Sequence, residues 1–252
     1  MTNPGQKRCG RWRVARLTLL ALVATACLAP PPPVAEPPPP AVAAGAGDSA
    51  AQAPAAVTVR ADSPERAARA LTLRVRASGC DGVATGSGFA IAGHALVTNR
   101  HVIANASEIQ VNTWDGQSLK AAVSRVTYYS DLALVVVDGD LPLVGTLAPR
   151  DAQVGDHVTV AGFPLGGQQT VAEGDVLDYV VGANLGDGIQ VMRLNATAQP
   201  GNSGGPVIDR RGEVAGVVYA IELATHHALA VPASAVRSLL REESVAPPTS
   251  VC

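Results

Sequence analysis

Between Leu71 and Pro232 the chain is a succession of short apolar segments, each closed by a turn signal. This spacing restricts the fold more than any other feature of the sequence. Leu71, Leu73 and Val75 alternate with Thr72, Arg74 and Arg76, the two-residue period of a half-buried strand. The stretch "GSGFAIAGHALVTNRHV" reads as strand, turn at Gly93-His94, strand. "EIQVNTWDGQSLKAAVSRV" reads as a hairpin turning at Asp115-Gly116, because Asp-Gly supplies the backbone that tight hairpin loops need. "LALVVV" is a short buried strand ending at Asp138-Gly139-Asp140. After a connector, Leu141 to Val154, five more strand-like segments follow: "HVTVAGFP", "GDVLDYVVG", "GIQVMRLNAT", "PVIDRRGEVAGVVYA" and "HALAVP". So many short strands at this spacing imply all-β barrels rather than βαβ units. Two sets joined by a connector imply two barrels.

Only two helices are expected. Ser63-Pro64-Glu65 carries a capping residue, proline at the first helical position and an acid in the first turn. That helix runs through the Ala/Arg stretch behind it and gives way to a strand near Leu71. Pro232 to Arg241 closes the chain as a helix with Val236, Leu239 and Leu240 on one face. The chain is 47% hydrophobic and 16% charged, which supports a packed core and excludes wholesale disorder.

The formal net charge of -2 conceals a basic opening: Lys7, Arg8, Arg11, Arg13 and Arg16. The remainder is mildly acidic and shows no nucleic-acid footprint. The basic opening leads into the apolar run "LTLLALVATA", Leu17 to Ala26, and then Cys27. Ten residues fall short of the roughly 20 that span a bilayer but suit a signal peptide. Val23-Ala24-Thr25-Ala26-Cys27 resembles a bacterial lipobox, in which Cys27 would be acylated and tether the protein to the membrane. The alternative is ordinary cleavage after Ala24-Thr25-Ala26 with no lipid. A Pro/Ala-rich stretch follows, the composition of an extended spacer. The expected organisation is a signal peptide at 1–27, a linker at 28–62 and one folded domain at 63–252.

Within the domain, three polar residues stand in special surroundings. His101, in "ALVTNRHVIANA", comes just after a hydrophobic strand, where the chain turns. Asp131, in "YYSDLALVVV", is an isolated carboxylate heading an apolar strand, where a buried charge requires a partner. Ser203, in "ATAQPGNSGGPVID", sits among Gly201, Gly204 and Gly205. A serine hydroxyl needs a base within reach, and histidine, with an ordinary pKa near ~6.5, accepts and returns a proton around neutral pH. Taken singly each feature is a solvated turn, a turn cap or a loop. Together, His, Asp and Ser in this order match one of the known arrangements of a catalytic triad.

"TNRHV", "DLALV" and "QPGNSGGPV" resemble the three triad motifs of trypsin-like (chymotrypsin-fold) serine proteases, specifically the bacterial HtrA-like branch. "GSGFAI" and "GEVAGVVYA" fit as well, so the resemblance covers roughly Leu71 to Leu240. It implies two six-stranded antiparallel β-barrels with the site in the cleft between them. It also implies an exported serine endopeptidase acting on proteins or peptides. Ser203 would be the nucleophile, His101 the base and Asp131 its orienting acid, with the Gly201 and Ser203 N–H groups forming the oxyanion hole. The alternative is a protease-fold binding protein at the cell envelope that has lost catalysis. No cofactor or metal site is expected, since His226-His227 lacks a supporting ligand cluster.

Asn202 stands where digestive relatives carry an Asp that captures a freshly cut N-terminus, so activation by such a cut is not expected. No PDZ-like segment is expected after the catalytic domain. The chain is similar to exported, membrane-tethered actinobacterial proteases. By the family's spacing Thr197 lies at the base of the primary specificity pocket with Gln199 nearby, and Val218, Tyr219 and Ala220 form its wall. A pocket that selects Lys or Arg wants a carboxylate at its base. Thr197 carries none, which implies small or apolar residues before the cut, unless Glu222 reaches in. Export leaves Cys80 and Cys252 to be read as one disulfide in an oxidising compartment.

Overall fold

The computed structural model describes residues 57–58, 63–80 and 82–241. A short strand, β1 (Val57–Thr58), precedes helix α1 (Pro64–Leu71). Ser63 Oγ accepts the Arg66 N–H at 3.2 Å and Pro64 opens the helix, as expected from the sequence. Ala67, Ala68 and Leu71 form the buried face. The strand then begins one residue later than its alternation suggested. Leu71 is still helical, and Thr72 is fully buried because its hydroxyl donates to the Ala68 carbonyl at 2.6 Å.

The first barrel comprises β2 (Thr72–Gly79), β3 (Gly82–Ala92), β4 (Ala95–Asn99), β5 (Ala106–Asn112), β6 (Ser118–Thr127) and β7 (Leu132–Val137). These pair antiparallel and close in the order β2-β3-β4-β7-β6-β5. Leu73, Val75, Leu96, Val111 and Val135 fill the interior. In the connector, β8 (Leu143–Val144) pairs parallel with β1.

The second barrel comprises β9 (His157–Gly162), β10 (Thr170–Val181), β11 (Gln190–Thr197), β12 (Pro206–Asp209), β13 (Val214–Ile221) and β14 (His227–Pro232). It closes in the order β10-β11-β14-β13-β12-β9. "PVIDRRGEVAGVVYA" divides into β12 and β13, because Asp209 Oδ1 accepts the Arg211 and Glu213 N–H groups at 2.8 and 3.0 Å and folds a turn. Helix α2 (Ala233–Arg241) begins after Pro232, which belongs to β14 opposite Gly216. Its buried face is Ala233, Val236 and Leu239, whereas Leu240 is 36% exposed. Leu240 lies about 100° further round the helix than Leu239, outside the i, i+3 stripe.

A third apolar cluster joins the barrels. Leu71, Phe89, Leu132, Ile208, Val217, Tyr219 and Val236 come from α1, both barrels and α2. Burying each large side chain here contributes about 1.5–3 kcal/mol.

Candidate active site

Residues Asn99 and Leu132 face each other across the β4–β7 pairing, which sets His101 and Asp131 side by side just beyond the strand ends. Asp131 turns into β7 with φ +53°, a conformation Asp tolerates better than most residues. Residues 99–101 grip it on all sides. The Asn99 amide and the Arg100 N–H donate to the Asp131 carbonyl at 3.1 and 2.8 Å. The His101 N–H donates to Asp131 Oδ1 at 3.1 Å, and His101 Nδ1 is in short contact with Oδ2. The carboxylate is buried, while the imidazole is 46% exposed and so open to a substrate.

Ser203 belongs to the loop between β11 and β12, in the second barrel. Gly201 and Gly204 both have positive φ, +101° and +86°. A Cβ on Gly201 would stand 2.4 Å from the Phe163 carbonyl, and one on Gly204 would stand 2.0 Å from the Ser87 carbonyl. No side chain fits at either position. Among the described residues, neither the Gly201 nor the Ser203 N–H donates to a carbonyl, so two donors beside the hydroxyl are unspent. The preceding peptide is pinned through Pro200, whose carbonyl accepts the Leu165 N–H at 2.7 Å.

The two barrels meet at Ser87 of β3, a residue the sequence reading passed over. Its N–H donates to the Ser203 carbonyl at 2.8 Å and its hydroxyl to the Gly201 carbonyl at 2.7 Å. The same hydroxyl accepts the Phe163 N–H at 2.9 Å. At neighbouring Gly86, a Cβ would lie 2.6 Å from Val102 and 3.1 Å from the Ser203 carbonyl, so the residue after His101 and the serine loop converge there. Among the described residues no hydrogen bond joins Ser203 Oγ to His101. Such contacts commonly tighten when substrate arrives.

Of the pocket residues, Thr197 ends β11, exposed, opposite His227, and Gln199 is exposed with its carbonyl accepting the Asn202 N–H at 3.0 Å. The Val218 N–H donates to Gly205, its carbonyl accepts from Gly204, and its side chain packs into the barrel core. The strand opens only beyond it, at Tyr219, Ala220 and Ile221, since β12 pairs with β13 no further than Val217. Tyr219 is 6% exposed. Burial pushes its hydroxyl pKa up, with the Ala183 backbone opposing and the nearby Asp131 charge adding to the rise. Asn202 is buried, with Gly162 packed against its Cα and side chain.

Glu222 does not reach into the pocket as a free acid. Its carboxylate is held below the usual range by the Thr225 hydroxyl and by Arg193, whose Nη1 lies 3.1 Å from Oε1. Arg193 also pairs with Asp178 at 2.5 Å. Cys80 is exposed at the end of β2, whereas Cys27, Cys252 and the Pro-rich spacer lie outside the described residues. Among the described residues no cluster of three or more His, Cys, Asp or Glu could hold a metal ion, and no helix is long and apolar enough to cross a membrane.

Two closed six-stranded barrels, with a histidine–carboxylate couple on one and a glycine-framed serine on the other, define a chymotrypsin-fold serine protease framework. Residues 86–217, just over half the chain, match the trypsin-like peptidase domain. The chain belongs to that family. A probable periplasmic DegP-like serine endoprotease of Pseudomonas fluorescens is 38% identical over 136 residues, 52% of this chain and 28% of the relative. Serine protease HTRA1A of Danio rerio is 32% identical over 167 residues, 64% of this chain and 35% of the relative. The chain thus spans about a third of the length of these relatives. In fold it is similar to the Rv3671c protease of M. tuberculosis in its active form, with a TM-score of 0.68 and 24% identity, covering 82% of this chain and 98% of that one.

Proposed function

We propose that this chain is an exported serine endopeptidase that cuts proteins or peptides through an acyl-enzyme. Ser203 Oγ attacks the scissile carbonyl while His101 Nε2 takes its proton and later returns it to the leaving amine. Asp131 holds the Nδ1–H of that imidazole and offsets the charge it gains. The Gly201 and Ser203 N–H groups receive the oxyanion, each donor being worth about 2.7–4 kcal/mol in comparable sites. Water then hydrolyses the ester by the same proton route.

The observation that carries this reading is the grip on Asp131. Each carboxylate oxygen meets a different group of His101, which leaves the imidazole one tautomer and one orientation. The test is labelling by a fluorophosphonate, a probe of activated serines. We expect labelling of the parent protein and none of Ser203→Ala or His101→Ala. Labelling that persists in Ser203→Ala overturns the assignment, and a parent that never labels favours the non-catalytic alternative.

Small or apolar residues are preferred before the cut. Thr197 brings no charge to the pocket base, and the nearby acid Glu222 is already engaged by Arg193 and Thr225. Export is supported by the basic, apolar N-terminus and by the periplasmic naming of the Pseudomonas relative. Pairing of Cys80 with Cys252 is supported by these being the two cysteines that remain after export into an oxidising compartment. Intact mass of protein recovered from an exporting host reads both this bond and any lipid on Cys27. Two alkylatable thiols, or an uncleaved N-terminus, would count against these assignments.

A further inference from the structure

The residue before His101 also faces Asp131. Arg100 Nε lies 3.5 Å from Asp131 Oδ1, the oxygen that also accepts the His101 N–H. This Nε is buried and has no hydrogen-bond acceptor of its own. Its guanidinium stacks over the Tyr128 ring at 4.7 Å, three residues before the carboxylate. A planar cation stacked on an aromatic face has few ways to move. We propose that Arg100 is a positioning residue, a fixed positive charge that steadies Asp131 and sets the pH at which the His101 couple loses activity.

The inference rests on His101 and Asp131 acting as the proton-transfer couple. The charged and titratable groups facing Asp131 are His101 and Arg100 from the β4 end and the Tyr219 hydroxyl from β13. Tyr219 stays protonated over the working range, its pKa being raised mainly by burial. Among the described residues, Arg100 is the permanent cation in contact with Asp131. It favours the carboxylate and opposes a second positive charge on the imidazole.

The test is the pH profile of kcat/KM for the parent, Arg100→Met and Arg100→Lys, with thermal unfolding to establish that each is folded. Methionine still covers the Tyr128 ring without charge, and lysine restores charge without the planar stack. In Arg100→Met the midpoint of the acid limb should move up by about 0.5–1 pH unit, the scale of one nearby charge in a partly exposed site. Its kcat should fall about 3–10-fold as the carboxylate loosens. Arg100→Lys should recover more than half of the midpoint shift. An unmoved midpoint in Arg100→Met overturns the proposal, as does an equal shift in both variants. A parent acid limb that His101→Ala abolishes secures the underlying reading, so a flat result at Arg100 then counts against this inference alone.

Discussion

Replacing Ser87 by alanine tests whether the serine loop owes its shape to the opposite barrel. Ser87 is fully buried, and its hydroxyl serves two backbone groups: it donates to the Gly201 carbonyl at 2.7 Å and accepts the Phe163 N–H at 2.9 Å. Alanine removes the shared hydroxyl, breaking both hydrogen bonds at once, and leaves a donor and an acceptor unpaired at a partly buried junction. Each orphaned group costs about 1–3 kcal/mol, so partial relaxation leaves a loss of about 2–4 kcal/mol in unfolding free energy. Phe163 and Gly201 lie against each other, since a Cβ on Gly201 would meet the Phe163 carbonyl at 2.4 Å. Relaxation at one therefore displaces the other, and with it the Gly201 N–H proposed to receive the oxyanion. Complete loss of a donor costs 10²–10³ in kcat in comparable enzymes, so a displaced one should lower kcat/KM about 10–100-fold. Urea unfolding and peptide hydrolysis on the same preparation give both numbers. A variant within about 0.5 kcal/mol and twofold of the parent refutes the argument.

Two further outcomes are expected. Peptide-library profiling should find small or apolar residues before the cut, in the parent and in Glu222→Gln alike. A dominant Lys/Arg preference lost in Glu222→Gln would mean that the carboxylate leaves Arg193 to serve the pocket. The second outcome is alkaline. The Tyr179 hydroxyl donates to the Ala152 carbonyl at 2.7 Å, and burial, aided by Asp151 and Asp156, pushes its pKa from 10.0 up to about 12. Its contribution to stability is complete below pH 10 and is lost as pH rises through about 12. Denaturant titrations across that window should show this alkaline loss in the parent and not in Tyr179→Phe; equal slopes would refute it.

The barrels were legible because strand patterning is local: Leu73, Val75 and Ala77 point inward in β2 as two-residue alternation requires. The helix start at Ser63-Pro64 was equally local. Thr72 was misjudged because a buried hydroxyl satisfied by the preceding helix looks, in sequence, like a solvent-facing one. A strand's residues likewise do not reveal where its neighbour ends: β12 stops pairing with β13 at Val217, which leaves Tyr219 and the residues after it open on that edge. Ser87 and Arg100 carried no signal that distinguishes them. A serine between glycines reads as turn filler and an arginine before a histidine reads as surface charge. Their significance comes from partners 116 and 31 positions away, Ser203 and Asp131, that only the closed barrels bring near.

The division of the site between barrels bears on when the chain can become dangerous to its surroundings. His101, Asp131 and Ser87 all lie before residue 132, and Ser203 and its glycines all lie after residue 200. A chain emerging from synthesis thus completes the strands of its first barrel before Ser203 is made. The second barrel alone holds a serine whose loop lacks the Ser87 bonds that shape it. On the proposed roles, His101 and Ser203 come together only when one barrel docks on the other. The division then delays hydrolysis until the barrels dock, so that hydrolysis reports on docking itself.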